Sequence, residues 1–166
     1  MVLVLLGLPP GLQAGAAVAA TTPMVRFYDG SFECYAGALA LRLPDTYAQL
    51  LHLGKLRSTR DVRKQSERGL ATTLRRIEFP GLRILVYLFS GDPDHYQVAR
   101  VQIGSADWQL SPLRVGTSIN RASLTRGWPA LPREGSWQIQ GDSAHLLVRL
   151  VAGKIAAIDY FCDSGT

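Results

Sequence analysis

The sequence predicts an α+β fold in which an antiparallel sheet carries short helices on one of its faces. Three observations support this class. Six segments have strand character and are bounded by turn residues such as Gly, Pro and Asp. Two other segments begin at a residue able to cap a helix and end at glycine. Successive strands are joined by short turns, which requires antiparallel pairing.

The first half of the chain contains one predicted helix and three predicted strands. The helix begins after Asp45, whose carboxylate can accept hydrogen bonds from the first turn, and it ends at Gly54. A polar and basic connection over 55–68 follows. The strands are expected at 74–79, 82–89 and 98–103, with a turn at 91–94 between the last two.

The second half repeats this order of elements. A short helix is expected over 117–127, followed by strands at 137–140, 145–151 and 155–162. We predict a single α+β domain over 21–166, and the repetition marks 45–103 and 113–162 as candidate helix–three-strand units in tandem.

The beginning of the chain has the pattern of a secretory signal peptide. The first 24 residues carry no Lys, Arg, Asp or Glu. An apolar run over 1–8 leads into a small-residue segment over 14–20, which is the usual order of apolar region and cleavage site. The alternative is a buried N-terminal helix or strand, which the Ala- and Gly-rich end disfavours. We therefore expect a signal peptide over 1–20 and a periplasmic or secreted mature protein.

The chain has two cysteines, Cys34 and Cys162. In the oxidising compartment that a signal peptide implies, we expect them to form a disulfide that ties together the two ends of the mature domain. Two buried free thiols are the alternative.

Part of the second half resembles a group of small exported bacterial domains. The motifs that carry the resemblance are Gly116-Thr117-Ser118, Gly127-Trp128-Pro129, Trp137-Gln138-Ile139 and Gly153-Lys154-Ile155. Their order resembles the plan of the small outer-membrane assembly lipoproteins (SmpA/OmlA-like) and of β-lactamase-inhibitor-protein-like domains. The resemblance implies an exported α+β domain that binds other molecules, and it transfers no catalytic residue. The sequence departs from that plan at Arg126, where Leu is usual, and it lacks a lipid-anchoring Cys.

No catalytic or cofactor-binding motif is recognisable in the sequence. His52, His95 and His145 are far apart along the chain, whereas a zinc site uses His or Cys at short spacing. Asp92 and Asp94 fit a hairpin turn better than a calcium-binding loop. The nucleophile elbow, the dinucleotide-binding glycine motif and the phosphate-binding loop do not occur. We therefore expect a protein without enzymatic activity and without a cofactor. A hydrolase that uses two carboxylates is the remaining alternative.

The most unusual feature is a basic segment over 55–76, which holds eight Lys or Arg and two acids, while the whole chain has a net charge of +5. We expect it to be an exposed connection that meets an anionic partner, such as an acidic protein surface, phospholipid head groups or a cell-wall polymer. Nucleic acid is disfavoured by the exported location. A solvated connection without function is the alternative. The residues expected to contact the partner are Lys55, Arg57, Arg60, Arg63, Lys64 and Arg68, with Trp128 as an apolar anchor.

These observations together predict an exported, non-enzymatic bacterial cell-envelope protein that binds another macromolecule. An inhibitor or immunity-type protein is the sharpest form of this hypothesis. An envelope-assembly or structural accessory protein is the alternative.

Overall fold

The computed structural model describes residues 24–28, 43–67, 69–110, 113–118 and 134–162. Strands make up 68% of these residues and helix only 4%. The expected α+β class, with helices packed on a sheet, is therefore wrong: the described part of the chain forms one large mixed sheet, a small two-stranded hairpin and a single helical turn. The predicted signal peptide and Cys34 lie outside the described residues, so both remain predictions.

Eight strands form the large sheet in the spatial order β1-β8-β9-β10-β5-β4-β3-β2. The pair β1–β8 is parallel and the other neighbours are antiparallel. A separate hairpin is formed by β6 and β7. The strands are β1 (Met24–Tyr28), β2 (Ser58–Glu67), β3 (Leu70–Phe79), β4 (Leu82–Phe89), β5 (Asp92–Ile103), β6 (Gln109–Leu110), β7 (Leu113–Arg114), β8 (Gly135–Gln140), β9 (Ala144–Val151) and β10 (Lys154–Cys162).

All six predicted strands lie within observed ones, namely β3, β4, β5, β8, β9 and β10. The strands of the two halves pair with each other through β5 and β10, so they form one sheet and not two tandem units. The predicted connection 55–68 is also wrong in type, because most of it is strand β2. The alternation of apolar and polar residues that identifies a half-buried strand is absent from β2, because β2 lies at the edge of the described sheet and needs no apolar face.

The predicted helix at 45–54 is a single turn, α1 (Tyr47–Leu50). Its N-cap is Thr46, not Asp45: the Thr46 hydroxyl accepts a hydrogen bond from the backbone N–H of Gln49 at 3.3 Å. Only Leu50 of this turn is fully buried. One turn is enough to bring that side chain to the core, so the apolar spacing predicted more helix than the packing uses.

The second predicted helix can be followed only at its first residues. Thr117 lies in a turn, where its hydroxyl donates to the carbonyl oxygen of Arg114 at 2.6 Å. Ser118 forms an isolated bridge with Lys154 of β10. The rest of that prediction lies outside the described residues.

One face of the sheet is the core face. Side chains alternate between buried and partly exposed along β8, β9 and β10, as period-two strands require. Trp137 is fully buried at the centre of this pattern. Leu50 from α1 and Leu110 and Leu113 from the β6–β7 hairpin are buried in the same cluster. The described helix and hairpin therefore both pack on the core face.

The turn between β3 and β4 depends on Gly81. Its φ of 70° lies in the left-handed region, and a Cβ there would stand 2.3 Å from the Ser105 hydroxyl oxygen. The Gly81 carbonyl oxygen accepts a hydrogen bond from the N–H of Gly104 at 2.8 Å. This hydrogen bond joins the start of β4 to the end of β5, at one end of the sheet.

Candidate functional site

The second face of the sheet, which we call the outer face, is crossed by continuous rows of side chains. A row consists of the residues that face each other across paired strands, so its members point to the same side. The central row spans all eight strands: Arg26, Gln138, Leu147, Asp159, Gln102, Arg83, Glu78 and Ser58. The next row contains Gln140, His145, Phe161, Arg100, Leu85, Arg76 and Arg60.

Glu78 is the anchor of one half of the central row. Its carboxylate accepts hydrogen bonds from the Ser58 hydroxyl at 3.2 Å and from Arg83 Nε at 3.1 Å. The Nε atom of Arg76 lies 3.2 Å from the same carboxylate. The hydrogen bond from Ser58, followed by the charges of the two arginines, lowers the pKa of Glu78 below its ordinary value.

Asp159 is the anchor of the other half. It accepts two hydrogen bonds from the guanidinium of Arg100, one of them at 2.7 Å to Nε, and a third from Gln102 Nε2 at 3.0 Å. The hydrogen bonding with Asp159 raises the pKa of Arg100 above its ordinary value. Arg83 Nη1 donates to Gln102 Oε1 at 3.3 Å, so Gln102 links the two halves into one network.

Three planar groups stack beside this network. The Arg100 guanidinium carbon lies 4.3 Å from the centre of the Phe161 ring, and the His145 ring lies 4.4 Å from the same ring at an angle of 13°. Cation–π and aromatic contacts of this kind fix side-chain orientation. The outer face therefore presents a preformed row of His, Phe and Arg.

Arg60 and Arg63 occupy the β2 end of the outer face. They are three residues apart, a spacing that would place them on opposite faces of a regular strand. The pairing shifts between Asp61 and Arg63, which leaves Val62 as the extra residue of a β-bulge. Because of the bulge, Arg60 faces Arg76 and Arg63 faces Leu74, so both arginines lie on the outer face.

The other side of β2 carries a separate polar cluster. Arg75 Nε donates to Asp61 at 2.6 Å and Arg75 Nη1 donates to the Tyr47 hydroxyl at 3.2 Å. Lys64 lies 3.0 Å from the same Asp61. The hydrogen bonds from Arg75 and Lys64 lower the pKa of Asp61. Lys64 is therefore separated from Arg60 and Arg63, although the sequence suggested a common binding role.

The remaining predicted contact residues divide into two groups. Lys55 and Arg57 are exposed and precede β2. Arg68 and Trp128 lie outside the described residues. The sequence analysis did not select Arg83, Arg100 or Phe161, although the alternation in β4, β5 and β10 places them, respectively, on the face opposite the core.

The outer face is strongly basic in its four central rows. These rows are the two described above, the row Ser136–Arg149–Ala157 and the row Arg63–Leu74–Tyr87–Gln97. The arginines in them are Arg26, Arg60, Arg63, Arg76, Arg83, Arg100 and Arg149, and the acids are Glu78 and Asp159. Ion pairs within the described part of the chain hold Arg76, Arg83 and Arg100 but none of the other four.

An open depression of about 360 Å³ lies on the outer face next to the β3–β4 turn. Its polar lining is Arg57, Glu78, Arg83, Gln102 and Asp159. The depression therefore contains the middle of the hydrogen-bond network together with one further arginine from the connection before β2.

The histidines do not form a common site. His52 is exposed after α1, His145 stacks on Phe161, and the His95 ring lies 2.7 Å from the Asp92 carboxylate. The predicted turn at 91–94 is wrong in detail, because the turn is formed by Ser90 and Gly91 and β5 already begins at Asp92. Among the described residues, no group of three or more His, Cys, Asp and Glu side chains is arranged to hold a metal ion.

The last strand, β10, ends at Cys162, which faces Ala144 of the neighbouring strand β9 and is 9% exposed. Its predicted partner Cys34 is not among the described residues, so the disulfide remains a prediction. The described part of the chain also contains no helix with the length and hydrophobicity of a membrane span.

Comparison of the chain with protein-family models, with curated proteins and with solved structures found no match.

Proposed function

We propose that this protein is an exported, non-enzymatic binder whose outer face holds an acidic surface of another protein. An inhibitor or immunity-type role in the bacterial cell envelope is the sharpest form of the proposal. The observation that carries it is the charge of the four central rows, with seven arginines and two acids on one face. Such a face attracts a negatively charged partner and orients it before contact.

The composition of the face also suits protein recognition. Between the arginines lie the half-buried side chains of Leu74, Leu85, Tyr87 and Phe161. Protein interfaces are enriched in aromatic residues and Arg, and these types dominate binding hot spots. Half-buried apolar side chains interspersed with arginines match the composition of protein interfaces, so we favour a protein partner over a membrane surface or a cell-wall polymer.

The dimensions of the face are sufficient for a stable complex. With neighbouring strands about 4.8 Å apart, eight strands span about 34 Å. A standard protein–protein interface buries about 800 Å² on each partner. The outer face can therefore provide a whole interface without help from loops.

The state of the two acids in the four central rows supports a non-enzymatic role. Asp159 is held by Arg100 and Gln102, and Glu78 by Ser58 and Arg83. A general acid or base has to exchange a proton with the substrate, which these engaged carboxylates are poorly placed to do. Their contacts instead fix the arginines, so less side-chain freedom is lost when a partner binds.

The test compares two charge-matched variants. Arg60→Glu/Arg63→Glu reverses two outer-face cations that have no acidic partner among the described residues. Lys64→Glu/Arg114→Glu makes the same change in net charge at exposed positions away from the outer face. Immobilised wild-type protein and both variants are exposed to a periplasmic extract, and each captured protein is then purified and its Kd and association rate are measured.

We expect the outer-face variant to bind the captured protein at least about tenfold more weakly, mainly through slower association. The control variant should bind like the wild type. Equal binding by the two variants would contradict the proposal, as would binding to anionic lipid vesicles in place of any protein. A secreted enzyme or toxin as partner would support inhibition or immunity, whereas resident outer-membrane proteins would support the accessory role.

A further inference from the structure

The depression beside the β3–β4 turn has a lining whose chemistry is more specific than the charge of the whole face. We infer that it binds a carboxylate group contributed by the protein partner. This inference rests on the proposed function and identifies the group that the partner has to supply.

The acceptors that line the depression are already engaged. Both oxygens of Glu78 accept hydrogen bonds, one from Ser58 and one from Arg83. Both oxygens of Asp159 accept hydrogen bonds from Arg100, and the Gln102 amide adds a third. The side-chain oxygen of Gln102 accepts from Arg83. A cationic group entering the depression would therefore meet acceptors that already hold hydrogen bonds from the protein's own donors, mostly from arginines that would repel it.

The donors are in surplus. A guanidinium has five N–H groups, and Arg83 uses only Nε and Nη1, so its Nη2 has no partner among the described residues. Arg57 forms no side-chain hydrogen bond and no ion pair within the described part of the chain, and it lines the same depression. A ligand that offers only hydrogen-bond acceptors would satisfy the unused N–H donors of these two arginines.

A carboxylate fits this requirement best. It offers two oxygens with about four acceptor positions and pairs with the planar fork of Arg through two parallel hydrogen bonds. Arg83 is already oriented by Glu78 on one side and Gln102 on the other. Such fixing before binding reduces the entropy that a bidentate contact would otherwise lose.

The net charge around the depression agrees with an anionic ligand. Its two carboxylates, Glu78 and Asp159, are surrounded by Arg57, Arg76, Arg83 and Arg100. Four cations against two acids leave an excess of positive charge, although the lining alone contains two arginines and two acids. The number of charged residues in the lining does not show whether the ligand is a cation or an anion. The donors that are still free among the described residues and the acceptors that are already engaged indicate an anion.

The first experiment titrates the intact protein with sodium acetate and follows the arginine Nε–H signals by NMR at constant ionic strength. We expect saturable shifts for Arg83 and Arg57, with a Kd in about the millimolar range. Arg57→Ala removes a donor that no described contact uses, so it should weaken acetate binding about fivefold without unfolding the protein. Arg149→Ala is the control, since Arg149 is an exposed arginine of the same face outside the depression.

Three results would overturn the inference. The first is a set of equal, non-saturating shifts for all exposed arginines, which would show general ion screening. The second is saturable binding of ethylammonium at the same signals in place of acetate. The third is acetate binding that Arg57→Ala leaves unchanged.

A second experiment separates this inference from the proposed function. The captured partner is tested against Arg57→Ala and against Arg60→Glu/Arg63→Glu. Loss of binding in both variants, with competition by acetate, is the expected result. Loss in the double variant alone would contradict the carboxylate site and leave the outer-face interface standing. Unchanged binding in both would contradict the proposed function even if acetate still occupies the depression.

Discussion

Arg100 and Arg60 belong to the same row of the same face, yet their surroundings differ completely. Arg100, on the inner strand β5, donates two hydrogen bonds to Asp159 and lies over the Phe161 ring. Arg60, on the edge strand β2, is exposed and has no acidic partner among the described residues. The comparison teaches that the place of an arginine in the sheet, not its local sequence, decides whether it stabilises the fold or remains available to a partner.

The physical reason lies in the number of neighbouring strands. A residue on an inner strand has side chains facing it from both adjacent strands, so its charge can be neutralised within the sheet. In the described sheet, an edge residue such as Arg60 faces only one neighbour, here Arg76, which carries the same charge. Like charges that face each other destabilise slightly, and an incoming anion would remove that cost.

The largest effect is expected for Arg100→Ala. The substitution leaves Asp159, whose side chain is 17% exposed, with one hydrogen-bond donor in place of three. Hydrogen bonds to charged groups contribute about 2 kcal/mol, so we expect the free energy of unfolding to fall by about that amount. Urea denaturation measures it, with Arg60→Ala as control. Equal losses in the two variants would remove the distinction between inner and edge arginines.

A smaller effect with a defined pH dependence is expected for Glu78→Gln. The pKa of Glu78 in the folded protein lies below its ordinary value of 4.5, so the charged carboxylate stabilises the fold above that pH. This stabilisation is lost as the pH falls through the folded-state pKa. The difference in unfolding free energy between wild type and variant should therefore be largest near neutral pH and shrink in acid. A difference that does not change with pH would show that the charge of Glu78 is unimportant.

A pH dependence of the opposite sign is expected at the exposed start of β5. The Asp92 carboxylate raises the pKa of His95 above its ordinary value of 6.5. The pair therefore stabilises the fold below that pH, and the contribution disappears as the pH rises through the folded-state pKa. Because both side chains are exposed, His95→Gln should have less effect than Glu78→Gln. Thermal unfolding at a series of pH values would reveal the sign, and a larger loss at alkaline pH would contradict it.

The smallest effect on stability is expected for Arg60→Glu/Arg63→Glu. Exposed charges without partners contribute little, so the free energy of unfolding should stay within about 0.5 kcal/mol of the wild type. The same variant is predicted to lose most of its partner binding. If it unfolds the protein, the edge arginines are structural and the comparison with Arg100 no longer holds.

The sequence was informative about strands and core positions. Alternation of apolar residues located β4, because burial on one face imposes a period of two on the sequence itself. It failed for β2, whose side chains are nearly all exposed and leave no such period. It also overestimated α1, because apolar spacing near Leu50 reflects contact with the core and not the length of the helix.

The candidate site was only partly predictable. The density of cations drew attention to Arg60 and Arg63, but nothing local distinguished them from Lys64, which the strand turns to the other side and pairs with Asp61. The depression could not be predicted at all. Its Gln102–Asp159 contact joins residues 57 positions apart, and Arg83 reaches it from a third strand.

The amino-acid sequence by itself determined the positions of most strands, the residues that would be buried and the excess of positive charge, since these depend on local pattern and composition. Only the tertiary structure decided which strands became neighbours, that the two halves share one sheet, and which arginines were neutralised. Pairing of β5 with β10 brings Arg100 and Asp159 together across 59 residues of chain. Alternation specifies that a strand has two faces but not which strand will lie beside it, so charge pairing, and with it the available binding surface, follows from the order of strands in the sheet.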